Sequence, residues 1–321
     1  MSTENILYEN TSRKIIFSWK EFSLIFFIAV LGAYLYYYKF LNNFFVNDDF
    51  KYLANMFDSP LSVILGYGNL RVVSNVAWWP LFWLSGLDPF SYNAFGIIMH
   101  AVNAVMVCLF MMRLLKDKAL AIICGAIFLV NSVGCDALFW KAANNTLINV
   151  FFYLFTLYFY IIYRQEKSIK YFIASISFFS LAMFSKEDAA SMPFIIIILE
   201  LIFFGGIKDK KTILLRVIPY VTIVIVYILA GKVVFNLLLD TSVEHAKFFK
   251  IRPLHTIFAG WSVFFLSPQG NIKLNNPAIY LTAIGIILSF YWVDDKKLLY
   301  FGYGWIFLAF LPQSLTIRWT V

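Results

Sequence analysis

Long apolar runs, of helical rather than strand length, alternate with short polar breaks along the chain. The first, at 22–40, is close to the ~20 apolar residues that a helix needs to cross a bilayer. Further runs occupy 91–112, 119–133, 146–163, 171–185, 190–206, 212–236, 277–293 and 298–315. Two stretches fit this pattern less well. Residues 71–86 are interrupted by Asn75 and Pro80 and carry Trp78, Trp79 and Trp83, and the apolar piece at 254–267 is short. The pattern predicts an all-α polytopic membrane protein with about nine transmembrane helices. Residues 1–21 read as a polar cytoplasmic tail and 22–321 as one transmembrane domain, with a first outer loop at 41–90 and a second large one at 237–276.

Loop charge sets the orientation. If neither 71–86 nor 254–267 crosses, one side of the membrane receives the tail with Arg13, Lys14 and Lys20. The same side receives Arg113, Lys116 and Lys118, then Arg164, Lys167 and Lys170, then Lys208, Lys210, Lys211 and Arg216, and finally Lys296 and Lys297. Short loops this rich in Lys and Arg are cytoplasmic. The 41–90 loop then faces outward, with Lys51 and Arg71 as its basic residues. A crossing at 71–86 would put the Arg113 and Arg164 clusters opposite the tail. That segment is therefore expected to lie as an amphipathic helix in the outer interface, its tryptophans among the headgroups.

Composition agrees. Of 321 residues 61% are hydrophobic and 14% charged, where a soluble domain is nearer half apolar and a quarter charged. The net charge of +8 sits in inter-span clusters, so no nucleic-acid partner is expected. Cys108, Cys124 and Cys135 are odd in number and lack metal-ligand spacing, which excludes a disulfide framework. His245 and His255 make no zinc pattern, and no Gly-rich phosphate loop is present. No metal or cofactor is expected, and a nucleotide-linked donor is disfavoured. The first apolar run follows a polar stretch and has no small-residue cleavage site, so no cleavable signal peptide is expected.

Candidate chemistry collects on the outer side. The adjacent carboxylates Asp48 and Asp49 follow the first span directly, and charges beside a bilayer persist where they do a job. The same side receives Arg71, then Asp136, Lys141, Asn144 and Asn145, and then Lys186, Glu187 and Asp188. Asp240, Glu244, His245, Lys247, Lys250 and Arg252 follow the seventh span, and Arg318 lies near the end. Acids and cations on one surface can hold an anionic headgroup and deprotonate a hydroxyl beside it.

These residues resemble the GT-C membrane glycosyltransferases, and within them the protein O-mannosyltransferases and their tetratricopeptide-bearing relatives. Asp48-Asp49 matches the acidic pair of the first outer loop, and Ser185-Lys186-Glu187 matches a Ser-Lys-Glu turn. Tyr92 to Asn103, with His100, resembles the Tyr/His/Asn-rich second span. Asn131 to Asn145, with Asp136 and Trp140, resembles the acid- and Trp-bearing segment outside span three. The chain departs from the family at Arg71-Val72, where Arg-Pro is usual, and at Ala143-Asn144, where Gly-Arg is usual.

The resemblance implies sugar transfer from a polyprenyl-phosphate donor to a glycan or protein acceptor, with inversion, outside the cytoplasm. The membrane would be a bacterial inner membrane or, in a eukaryote, that of the endoplasmic reticulum, and the product part of protein glycosylation or the cell envelope. Asp48 and Asp49 are the expected catalytic acids, with Asp48 favoured as base. Arg71, Lys186, Arg252 and Arg318 are expected on the donor phosphate, and Asp136, Lys141, Asn144, Glu187 and His100 in support.

Each has a plainer reading beside it. Asp48 or Asp49 suits an N-cap, Glu187 and Asp188 suit a first helical turn, and Asp136 can pair with Lys141 about one turn away. Arg71 can snorkel to headgroups, His100 can be a hydrogen-bonded core histidine, and Glu200 is expected to reach the cytoplasmic interface. The rival function is a transporter or flippase of lipid-linked sugars, which favours ionisable groups and broken helices near the midplane. A membrane scaffold would give no reason for the one-sided charges.

Overall fold

The computed structural model describes residues 17–58, 70–131, 135–205, 210–238 and 277–309, and every regular element among them is helical. Helix α1 (Trp19–Tyr37) opens on a capping box, in which the Ser18 hydroxyl accepts from the Glu21 N–H and the Glu21 carboxylate from the Ser18 N–H. A short 3-10 turn extends it to Phe40. Helices α2 (Asp49–Asp58) and α3 (Val72–Ser85) follow, and Gly86 at φ +53 ends α3 in a conformation that suits a residue without Cβ. Then come α4 (Phe90–Leu115), α5 (Lys118–Val130), the single-turn α6 (Cys135–Phe139) and α7 (Asn144–Glu166). The rest are α8 (Ile169–Met183), α9 (Met192–Phe203), α10 (Lys210–Leu238), α11 (Pro277–Trp292) and α12 (Lys296–Ala309).

Each expected span overlaps a helix among the described residues. Among the described residues four stretches are long and apolar enough to cross a membrane: Trp19–Phe40, Phe90–Leu115, Lys141–Glu166 and Lys210–Gly231. Others are shorter than the apolar runs suggested. At 1.5 Å per residue the 12-residue α9 is about 18 Å long, against ~30 Å of hydrocarbon. Arg252 and Arg318, with His245 and the 254–267 piece, lie outside the described residues.

The bundle has two halves. Ala33 and Tyr37 of α1 pack on Ile97 and Ala101 of α4 and Leu147 of α7. Beside them Gly125 of α5 lets the helices touch, because a Cβ there would stand 2.9 Å from the Ala104 carbonyl oxygen of α4. In the other half Leu157, Tyr160 and Ile161 of α7 pack with Phe179 and Met183 of α8, Ile195 and Leu199 of α9 and Tyr220 of α10. A third cluster, of Phe45, Leu53, Met56, Trp78, Tyr92 and Ala142, caps one end of the bundle and fastens α2 and α3 to it.

Buried polar groups brace the helices, as they must where no water can serve them. The Asn93 amide donates to the Leu41 and Asn43 carbonyls at 2.8 and 2.9 Å, and that of Asn103 to the Leu147 carbonyl at 2.9 Å. His100 belongs to this set: its Nε2 lies 3.0 Å from the Leu129 carbonyl oxygen, with the ring stacked on Phe128. Glu200 corrects an expectation. It is buried inside the bundle instead of reaching an interface, because Tyr160, Arg164 and Arg216 converge on its carboxylate.

Candidate active site

The capped end of the bundle holds a polar pocket of about 250 Å³. Four separate stretches of chain line it: Asp48, Lys51, Tyr52 and Asn55; Arg71; Trp140, Ala142, Ala143, Asn145 and Thr146; and Lys186. The first group is one face of a helix, since positions 48, 51, 52 and 55 recur at helical spacing while Leu53 and Met56 turn inward to the apolar cap. Tyr52 is kept in the wall by stacking on Trp78 at 5.0 Å.

The adjacent acids face opposite ways. Asp48 is exposed to the pocket, and Asp49 is completely buried behind it. Both Asp49 oxygens are occupied, Oδ2 by the Val46 N–H at 3.0 Å and Oδ1 by the Ala142 N–H at 2.6 Å. Burial lifts its carboxyl above the usual aspartate range, with those two N–H groups pulling the other way. Lys141 is also fully buried and donates to the Asn43 and Phe44 carbonyls at 2.7 Å each, so its ammonium answers backbone and no pairing with Asp136 is needed to explain it. Asp136 falls on α6, and its side chain lies outside the described residues.

The Ser185-Lys186-Glu187 turn closes the opposite wall. Two bonds tie it to the start of α3, from the Val73 N–H to the Phe184 carbonyl at 3.0 Å and from the Ser74 hydroxyl to the Ser185 carbonyl at 2.9 Å. The Asn149 amide of α7 holds it from behind through the Ala182 and Lys186 carbonyls. Arg71 grips Glu187 as a fork, Nε to Oε2 at 3.0 Å and Nη2 to Oε1 at 2.5 Å. Burial works to raise the Glu187 carboxyl, but the guanidinium outweighs it and holds the group below the usual glutamate range. Lys186 bonds the Thr146 hydroxyl and the Asp188 carboxylate, both at 2.9 Å.

Asp48, Arg71 and Lys186 thus share one pocket, with Glu187 in contact through Arg71. Asn144 is buried beside Gly96, and its neighbours Asn145 and Thr146 face the pocket in its place. His100 is occupied at Leu129 and does not line the pocket. Lys51, Tyr52, Asn55 and Thr146 were not anticipated; the signal for the first three was the 3.6-residue period of the polar positions after Asp48.

A second depression, apolar and about 630 Å³, opens between α3, α4 and α7 and is lined by Val73, Val76, Trp83, Met99, Ile148 and Phe151 among others. Its ends at Val73 and Ile148 are each two residues from the polar pocket's Arg71 and Thr146. A polar, charged recess and an apolar trough whose linings come within two residues of each other, in an all-helical bundle with membrane-length helices, define an integral membrane protein with two unlike surfaces at one end. Residues 73–234, half of the chain, match the model of the dolichyl-phosphate-mannose-protein mannosyltransferase family, and the chain belongs to that family. It is accordingly a membrane glycosyltransferase of the kind that uses lipid-linked sugar donors. The match takes in the Trp140–Thr146 and Lys186 walls and begins after Arg71, so the Asp48 wall lies outside it. A comparison with curated proteins returns no match.

Proposed function

We propose that the polar pocket transfers a single hexose, mannose in the first instance, from a polyprenyl-phosphate donor to an acceptor hydroxyl, with inversion and on the extracytoplasmic side. The observation that carries this reading is the meeting of Asp48, Arg71 and Lys186 in one pocket of about 250 Å³. That volume is below the ~300–1,000 Å³ typical of drug-sized ligands, and suits one sugar with its phosphate. The apolar trough next to it is the right chemistry for the first prenyl units.

The acceptor oxygen attacks the anomeric carbon from the face opposite the phosphate while Asp48 takes its proton. The bond from that carbon to the phosphate oxygen breaks, and polyprenyl phosphate leaves with the electron pair. Its growing charge meets Lys186 and the guanidinium N–H groups of Arg71 that Glu187 leaves over. The Trp140 side chain adds an aromatic face to the pocket wall. The cytoplasmic placement of the Lys- and Arg-rich loops supports the outward orientation, and we extend it to nine crossings in all.

The test is release of polyprenyl phosphate from polyprenyl-phosphate mannose by the purified protein in nanodiscs. Asp48→Asn is expected to cut turnover by about 10²–10⁴-fold with the fold unchanged, because that side chain is exposed. Full turnover in the variant would overturn the assignment of the base. An impermeant thiol reagent should label Asn55→Cys and Gln165→Cys from opposite faces, the former from outside; labelling of both from one face refutes the topology.

A further inference from the structure

We propose that Asp49 and Lys141 are positioning residues, a crossed pair of buried staples that aims Asp48 into the pocket. The inference rests on the reading of Asp48 as the base and concerns what holds it there.

Each charge reaches across to the other's backbone. Asp49, in the first outer loop, accepts from the Ala142 N–H of the Lys141–Ala143 turn at 2.6 Å. Lys141, in that turn, donates to the Asn43 and Phe44 carbonyls of the loop at 2.7 Å each. The loop and the turn are about ninety residues apart in sequence, yet three charge-assisted hydrogen bonds cross between them. A fourth closes the loop on itself, from the Val46 N–H to Asp49 at 3.0 Å.

The loop backbone is shaped for this. Asn47 stands at φ +48, in the left-handed region that Asn tolerates better than most residues. The Asp49 N–H bonds back to the Val46 carbonyl at 3.0 Å, which makes a tight turn with Asn47 and Asp48 at its centre. With Asp49 drawn inward by its two N–H donors, its neighbour at the start of α2 is turned out to the pocket. Turn and loop are also two walls of that pocket, since Trp140, Ala142 and Ala143 face Asp48 and Lys51 across it. A slip between them would change the distance from the base to anything bound.

Cohesion alone does not explain the arrangement. Burying a carboxylate and an ammonium is costly, and well-packed apolar side chains of similar volume commonly give equal or better stability. What a charged pair adds is direction. Neither Asp49 nor Lys141 lines the pocket, and both Asp49 oxygens are already engaged, so Asp49 is no substitute for Asp48 as base.

The test is a double-mutant cycle on release of polyprenyl phosphate from polyprenyl-phosphate mannose. Asp49→Asn keeps the size but turns one acceptor oxygen into a donor that faces an N–H. It is expected to lower kcat by roughly 100-fold, the scale of a 1 Å misplacement, with KM for the donor unchanged. In the Asp48→Asn background the same change is expected to cost nothing further, because it acts only through Asp48. An equal loss in both backgrounds would show a merely structural role and overturn the proposal. Hydrogen exchange on the unaltered protein gives a reading that needs no variant: the Val46 and Ala142 amides should be protected like helix interior, and exchange at open-loop rates refutes the staples. Loss of turnover in Asp48→Asn with full kcat in Asp49→Asn overturns this inference alone, whereas full turnover in Asp48→Asn overturns the parent reading and this inference with it.

Discussion

The two ends of α7 carry charge clusters built on opposite plans. At its start, Asn145 and Thr146 border a pocket whose acids and cations stand around a void. Eighteen residues on, about 27 Å along the helix, Arg164 joins a cluster gathered on one buried carboxylate. There the Glu200 carboxylate accepts from the Tyr160 hydroxyl at 2.6 Å and Arg216 Nη1 at 3.1 Å and forms an ion pair with Arg164 at 2.6 Å, and its side chain is 2% exposed. The residue types are the same at both ends. The difference lies in the central acid: Glu200 is consumed by its neighbours, while Asp48 is left to the pocket because Arg71 and Lys186 pair with Glu187 and Asp188, and Asp49 and Lys141 are occupied by main-chain groups.

That contrast sets up a double dissociation. Removing the buried Glu200 as Glu200→Leu leaves two half-buried guanidinium groups between α7 and α10 without their acid, and breaking a buried ion pair costs up to about 3–5 kcal/mol. The expected result is a large fall in the thermal midpoint in detergent, with turnover per folded molecule at low temperature close to the parent's. At the other end, substitutions should move kinetics and leave the midpoint in place. If Glu200→Leu abolished turnover in protein that remained folded, the two clusters would not be separable in this way.

A smaller effect sharpens the pocket side. Lys186 is fixed by Thr146 at 2.9 Å and by Asp188 at 2.9 Å, so its ammonium is held at the pocket wall instead of sampling solvent. Lys186→Met is expected to raise KM for polyprenyl-phosphate mannose by roughly tenfold to a hundredfold, the ~1.5–3 kcal/mol of a hydrogen bond to a charged group. Thr146→Val, which loosens Lys186 without removing it, should give a change of about tenfold or less in the same direction. Steady-state kinetics in nanodiscs check both, and an unchanged KM in Lys186→Met would take the phosphate away from that wall.

How far this was legible in the residues differs between fold and site for a physical reason. Each span announces itself as an apolar run, because the bilayer demands the same property of every exposed position. The motif residues mark segments equally well, since Asp48, Arg71, Lys186 and Glu187 do come together. What a motif leaves open is rotation. Successive helical residues differ by about 100°, so a match that pointed to Asn144 put it against Gly96 and left Asn145 and Thr146 for the pocket. His100 shows the same limit, its ring turned to the Leu129 carbonyl. Lys141 sits on a 3-10 turn, not on a continuous helix, and so reaches loop carbonyls that no local spacing rule connects to it. Helix α2 was signalled by the N-cap reading of Asp48 or Asp49, but its ten residues are rich in polar groups and its extent shows only when their period is counted.

The faintest expected effect concerns acid, and it separates by sign two carboxyls set behind the pocket, the half-buried Glu187 and the buried Asp49. Glu187 is held below its ordinary value of 4.5 although burial opposes this, because the Arg71 fork outweighs it. A depressed carboxyl contributes stability that is present above pH 4.5 and lost as the pH falls through its folded value. Asp49, raised by burial, runs the other way: its contribution is fullest below 3.8 and fades as the pH rises through its folded value. The clamp from Arg71 to Glu187 should therefore show as a midpoint a few degrees higher than that of Glu187→Gln above pH 4.5, with the gap closing on acidification below it. Asp49→Asn should not reproduce that closing gap. A gap that held constant down to pH 3 would mean that Glu187 keeps Arg71 by shape alone, and the pocket's cation would then be fixed without regard to the proton.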